Sequence, residues 1–394
     1  MIWNRGQDGG RRARRLWGLL LAGALLAQLG GCASWFSRSE EGPKPAPLVE
    51  FKPAAMVTTA WQGAAGKAGI YVFSPAVAAG SVFAAGEHGQ IVRLDGDSGK
   101  QAWRIDTGHK LSGGVGAGDS MVLVGTDKGQ VLAYDFDGKP LWQAQVSSEV
   151  LSAPQIADGI VVVRSGDDRI FGLDARDGSR KWFYQRSTPV LTLRSHAGVL
   201  VTHGAVFAGF PGGKLVALEL ASGNVGWEAT VAEPRGATEL ERITDITSLP
   251  VADPREVCAV AYQGRVACFD IHNGNLLWAR EMSSTAGLVM DDHNLYVSDT
   301  GGAVVALDKT TGSSVWKQDK LAQRELSAPL ALGRYVVVGD LQGYVHFLSR
   351  EDGSFAARVA TDGSSISVRP VGLGDGLLVQ TRNGGLFAFS VAAR

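Results

Sequence analysis

A tryptophan placed four residues after a glycine recurs along this chain, and that repeat narrows the fold more than any other feature. Gly99, Gly138, Gly178, Gly223, Gly274 and Gly312 are followed by Trp103, Trp142, Trp182, Trp227, Trp278 and Trp316, whereas after Gly353 the position holds Ala357. Each unit also has an earlier turn glycine, at Gly89, Gly129, Gly213, Gly264, Gly302, Gly343 and Gly384, with Asp168 standing there in the third unit. The period is about forty residues, a length at which self-similar chains build propellers or solenoids. A unit reads as four short strands: a Ser-Ala-Pro type segment such as "LSAPQIADG", an apolar strand, an alternating "ALD" strand and the Trp strand. Four strands at this period match a propeller blade. The 52 glycines fit the many tight turns such a fold requires, because glycine enters positive φ at little steric cost.

The last unit, "LLVQTRNGGLFAFSVAAR", stops before any Trp strand, while "MVTTAWQ" at residues 56–62 is a spare Trp-bearing strand at the other end. The economical solution lets this N-terminal strand complete the last blade, pairing near Leu386 to Ser390. The expected fold is therefore all-β: an eight-bladed β-propeller of four-stranded antiparallel blades, closed so that no large sheet edge is left exposed. Trp61 joins the repeat tryptophans as a structural lock. Each indole is expected to pack between blades and cover a neighbouring turn, burying roughly 150–250 Å². Asp95, Asp135, Asp174, Asp270 and Asp308 each precede a turn, where Asp commonly accepts backbone hydrogen bonds.

Charge excludes one class of partner. The chain carries 38 basic and 39 acidic side chains, without the basic excess of a nucleic-acid binder. Its cysteines, Cys32, Cys258 and Cys268, are too few for a disulfide-built scaffold and show no C-x-x-C spacing. Cys258 and Cys268 fall in neighbouring strands of one hairpin. A cross-strand bond is one outcome; two buried small apolar side chains are the commoner one and the expectation here.

The N-terminus reads as an address. Arg5, Arg11, Arg12, Arg14 and Arg15 precede an apolar run from Leu16 to Leu29, short of the ~20 residues of a membrane span and suited to an export signal. Leu29-Gly30-Gly31-Cys32 resembles the lipobox of bacterial lipoproteins. That resemblance implies a signal peptide at 1–31 and lipidation of Cys32; Ala33, not being aspartate, implies the outer membrane. Residues 32–55, with Pro43, Pro45, Pro47 and Pro53, read as an extended tether rather than a helix, and residues 56–394 as the propeller.

The repeat resembles the pyrroloquinoline-quinone type, but enzymes of that type need a metal with carboxylate and amide ligands, a general base and stacking groups. The chain has no adjacent Cys-Cys pair, and its seven histidines are scattered without H-x-H or H-E-x-x-H spacing. The run "MDDHN" at 290–294 lacks the further spaced carboxylates of an EF-hand loop and falls at a hairpin turn. Repeat residues build blades, and a function must be argued from a site. No catalytic residue, metal or cofactor is therefore expected. A quinoprotein dehydrogenase and a propeller lipoprotein that senses a small ligand are the alternatives.

Departures from the repeat carry the functional signal. Trp-to-Trp intervals from Trp103 to Trp316 are 39, 40, 45, 51 and 38 residues. The two long ones are consecutive, and their extra length falls in connections that open on one face of the ring, where insertions commonly mark a binding surface. The first is "YQRSTPVLTLRSHAGVL", 184–200, containing Leu191, Leu193 and Arg194. The second is "AEPRGATELERITDITSLP", 232–250, with Arg242 and Asp245 near its end. Leucine beside arginine suits a protein interface, and leucines forming the core face of an inner strand are the equally open reading.

Lipobox, Pro-rich tether, eight blades and these two segments together resemble the BamB family of the β-barrel assembly machinery, from Cys32 to the C-terminus. The resemblance implies a noncatalytic outer-membrane lipoprotein, facing the periplasm, that binds the POTRA domains of BamA and assists insertion of outer-membrane proteins, nascent chains included. It places partner contacts at Leu191, Leu193, Arg194 and Asp245. The family's second acidic position is Thr247 here, which puts that one charge contact in doubt.

Overall fold

The computed structural model describes residues 44–393; the signal peptide and Cys32 lie outside them. The described residues form thirty-two strands and no helix, arranged as eight four-stranded antiparallel sheets. None of them forms a helix able to cross a membrane. The outermost strand of the last blade is Ala55–Ala64, which pairs with Gly385–Ala393. Thr58 lies opposite Ser390 and Gln62 opposite Phe387, so the N-terminal strand closes the ring as its spare tryptophan predicts.

Strand direction alternates from the innermost to the outermost strand of each blade, which gives the ring two distinct faces. On the turn face, the first and third hairpin turns of a blade are tied together, as where Ala175 N–H donates to Gly159 O at 3.0 Å. On the connection face, the middle turn is tied to the segment entering that blade, as where Leu341 N–H donates to Arg324 O at 3.0 Å.

The apolar second and third strands pack blade against blade, so the buried residues fall into eight clusters, one at each junction. Seven junctions carry a tryptophan lock. The indole N–H of Trp61, Trp103, Trp142, Trp182, Trp227, Trp278 and Trp316 donates to a carbonyl in the next blade's outer hairpin, at 2.7–3.0 Å. The repeat glycine is required there on two counts. Gly312, for example, sits at φ +71°, and a Cβ on it would lie 2.4 Å from the Trp278 ring. The preceding aspartates accept backbone N–H groups of these turns, as expected.

One expectation is corrected. Cys258 and Cys268 are not free thiols but a disulfide, with Cα atoms 4.1 Å apart. The register sets them directly opposite each other on adjacent strands, and both are fully buried. The bond closes a loop of ten residues, for which loop-closure entropy contributes about 3 kcal/mol. Replacing both cysteines by alanine is expected to lower unfolding free energy by about that amount, read from urea midpoints under non-reducing conditions. An unchanged midpoint would sink this expectation.

Candidate docking surface

The two long segments lie where the sequence places them. The first runs from the outer strand of blade three, Arg180–Tyr184, to the inner strand of blade four, Leu200–Thr202; the second runs from Val225–Thr230 to Val251–Ala252. Both belong to the connection face. The inner-strand reading of the leucines fails, because that strand begins only at Leu200. Leu191 is 44 % exposed beside the almost fully exposed Val190, and Leu193 is half-buried.

What holds this strandless segment in place is Asp245. One carboxylate oxygen accepts the Leu193 N–H at 2.7 Å, and the other accepts the Gly212 N–H at 3.1 Å. The Asp245 carbonyl accepts the Tyr262 N–H at 2.8 Å, which ties the second loop to blade five. Asp245 is only 2 % exposed. It therefore sits beneath the surface, clamping the Leu-Thr-Leu-Arg run from below, instead of presenting its charge outward. Burial pushes its carboxyl pKa up, against the two N–H donors that pull it down. Thr247 adds a second peg: its carbonyl accepts the Ser195 hydroxyl at 3.3 Å.

Arg194 remains 55 % exposed and reaches Glu149 at 3.1 Å. Arg242 is exposed as well, and its ion pair is with Glu239 of its own loop at 4.0 Å. The structure thus joins Leu193 and Asp245 directly but gives Arg242 no bond to the Leu191–Arg194 run among the described residues. Behind Leu193 and Arg194 opens a cleft of about 230 Å³ that also takes in Leu151, Arg164 and Asp168. Arg164 is nearly buried; it donates to Gly209 O at 2.6 Å, pairs with Asp168 at 2.6 Å and lies over the Phe210 ring.

Glu149 and Arg164 lie outside both long segments. A signal for the cleft existed in the repeat, since Asp168 replaces the turn glycine and keeps its left-handed backbone at φ +61°. Aspartate is among the residues tolerated in that conformation, and here its side chain pairs with Arg164. The assembled surface offers apolar side chains beside an exposed guanidinium and a polar cleft, on a rigid ring. Such a combination is chemically suited to a protein surface bearing an apolar patch and a carboxylate.

Comparison with known proteins places this geometry in context. The family model described as outer membrane protein assembly factor BamB matches residues 87–318 and 301–393. A protein of that name from Nitrosomonas eutropha is 51 % identical over 379 residues, covering 95 % of this chain and 93 % of the relative. Its namesake from Bordetella pertussis is 44 % identical, covering 95 % and 97 %. The crystal structure of BamB from Moraxella catarrhalis superposes with a TM-score of 0.78 at 27 % identity, over 85 % of this chain and all of that one. A quinohemoprotein alcohol dehydrogenase from Comamonas testosteroni superposes with a TM-score of 0.67 at 13 % identity, over 84 % and 76 %. At that identity the likeness is one of fold alone.

Proposed function

We propose a function from one premise: this chain belongs to the family of the outer membrane protein assembly factor BamB. It serves as a noncatalytic docking scaffold of the barrel assembly complex, and its connection face binds the POTRA region of BamA. The observation that carries this reading is the clamp itself: a buried Asp245 spends its hydrogen bonds on holding an exposed apolar and cationic run outward. A preformed surface lowers the ordering cost of binding. Leu191, Leu193 and Arg194 then make the contact, with Arg242 at the rim and Asp245 as the positioning residue.

Within the same proposal, residues 1–31 direct export, Cys32 carries the acyl chains, and the propeller faces the periplasm from the outer membrane. The disulfide supports export, because such bonds persist in oxidising compartments. The quinoprotein reading has only the fold likeness behind it.

Arg194→Glu tests the surface. Reversing an exposed charge at an interface anchor is expected to cut the BamA recovered in a membrane pull-down at least ~10-fold, while the thermal midpoint stays within a degree or two. Undiminished recovery would remove Arg194 from the contact.

A further inference from the structure

Among the described residues, the ring has one junction without a tryptophan lock, between blades seven and eight. Two departures coincide there. Blade seven has Ala357 at the tryptophan position, and blade eight has no covalent outer hairpin to receive an indole, because its outer strand comes from the N-terminus. The chain just upstream of that strand lies against blade seven. Ala46 N–H donates to Ala322 O and Ala54 N–H to Ala356 O, both at 2.9 Å. Between them Phe51 stacks on Phe355, with ring centroids 5.3 Å apart.

We propose that residues 45–54 are the eighth fastening of the ring, that Arg324 and Arg358 of blade seven form their receptor, and that the tether thereby leaves the propeller on the connection face.

The receptor is built from the inside. Asp340 is fully buried, and one of its oxygens takes Arg324 Nε at 2.7 Å and His346 Nε2 at 2.8 Å. Arg358 Nε donates to His346 Nδ1 at 3.2 Å, so His346 is the neutral tautomer with its proton on Nε2, donating to Asp340. Each arginine extends one further donor to the tether: Arg324 Nη1 to Ala46 O at 2.8 Å, and Arg358 Nη1 to Val49 O at 3.1 Å. The Arg358 guanidinium also lies over the Phe51 ring, 5.0 Å from its centroid. A buried Arg–Asp pair adds little stability by itself; here it orients donors toward a specific strand of chain. Small side chains at Ala356 and Ala357 leave room for that chain. Prolines at 45, 47 and 53 keep it extended before docking, which reduces the entropy lost on docking.

Direction follows from the two ends. Ala322 belongs to the connection entering blade seven, so Ala46 sits at the connection face, whereas Ala54 lies by the start of the strand Phe355–Ala360 at the turn face. The described chain therefore enters the clasp at the face that carries the candidate docking loops. What this means for the membrane rests on the lipidation of Cys32 proposed above. A stretch from Cys32 to Ala46 reaches at most about 50 Å when fully extended, so the docking face would be held toward the lipid and within that distance of it.

Amide exchange decides the clasp, and it is measured on the full chain both as purified from membranes and as a soluble Cys32→Ser form. The Ala46 and Ala54 amides are expected to exchange at least ~100-fold more slowly than free peptide, since both donate to backbone carbonyls. Phe51→Ala is expected to remove at least ~10-fold of that protection and to lower the thermal midpoint, with the Gly312 amide of another blade unaffected. Free exchange at both alanines in the unaltered chain overturns the clasp; so does a Phe51→Ala variant that frees the tether with no loss of thermal midpoint. Orientation is read by energy transfer to an acceptor lipid in phosphatidylethanolamine and phosphatidylglycerol vesicles. Donor dyes are placed in one blade at Lys128→Cys, on the connection face, or Lys139→Cys, on the turn face. Stronger transfer from Lys128→Cys is the expected result, and equal or reversed transfer overturns the exit point. A chain that does not stay on the vesicles overturns lipidation and the orientation with it, while the soluble form still decides the clasp.

Discussion

Gly312→Ala is expected to destabilise the propeller by about 3 kcal/mol, whereas Gly80→Ala costs about 1 kcal/mol. The two glycines make a matched pair because both hold φ at +71°. Alanine in that left-handed region is disfavoured by roughly 1–2 kcal/mol whatever surrounds it. At Gly80 nothing lies within 4 Å of the added carbon, so the backbone term stands alone. At Gly312 the added carbon meets the Trp278 ring at 2.4 Å, and the ring has little freedom to yield. Trp278 is buried among the residues joining blades five and six and donates to Lys309 O at 2.7 Å. Moving the indole breaks that bond and opens the junction, an overpacking penalty of about 1–3 kcal/mol added to the backbone one. Urea midpoints of the two variants measure the difference directly. Equal shifts would mean that the ring does not depend on its indole locks.

This pair also shows which part of the molecule a reader of the sequence can reach. A glycine and a tryptophan four residues apart are a local pattern, and the blade, the hairpin and the lock are local consequences of it. Closure was legible for a related reason: Trp61 is the one repeat tryptophan left without a unit of its own. The disulfide was legible too, had the register been carried across blades. Phe83 faces Arg93, Val162 faces Gly172 and Val337 faces Phe347, so residues ten apart oppose each other throughout, and Cys258 and Cys268 occupy that same pair of positions.

Other features depend on loops that meet only after the ring has closed. Asp245 reads as an exposed acid in a charged segment, yet its partner Leu193 is fifty-two residues away and in the preceding insertion. Arg324 and Arg358 find their tether carbonyls 278 and 309 residues upstream. No periodicity reports such contacts, and the Pro-rich segment shows only its extended habit, not the surface it lies on.

Asp245→Ala is expected to abolish docking about as thoroughly as Arg194→Glu, although Asp245 is almost wholly shielded from any partner. Alanine leaves the Leu193 and Gly212 N–H groups without their acceptor, each at a penalty of about 1–3 kcal/mol if they stay buried. The insertion has no strand pairing to resist this and relieves it by lifting away, so Leu191 and Arg194 lose their fixed positions. Recovered BamA is expected to fall at least ~10-fold, with amide exchange at Leu193 and Gly212 accelerated. Arg194→Glu produces the first effect and not the second, which separates a contact residue from a positioning one. Acid provides a further check. Because burial raises the Asp245 pKa, the folded chain holds this proton more tightly than the unfolded chain does. The stability of the unaltered protein relative to Asp245→Asn should therefore rise as pH falls from neutrality through that raised value. A salt-bridged carboxylate at an interface would show the opposite slope. Full BamA recovery with freely exchanging Leu193 and Gly212 amides would show that the partner orders the segment by itself, and the preformed clamp would then have no part in docking.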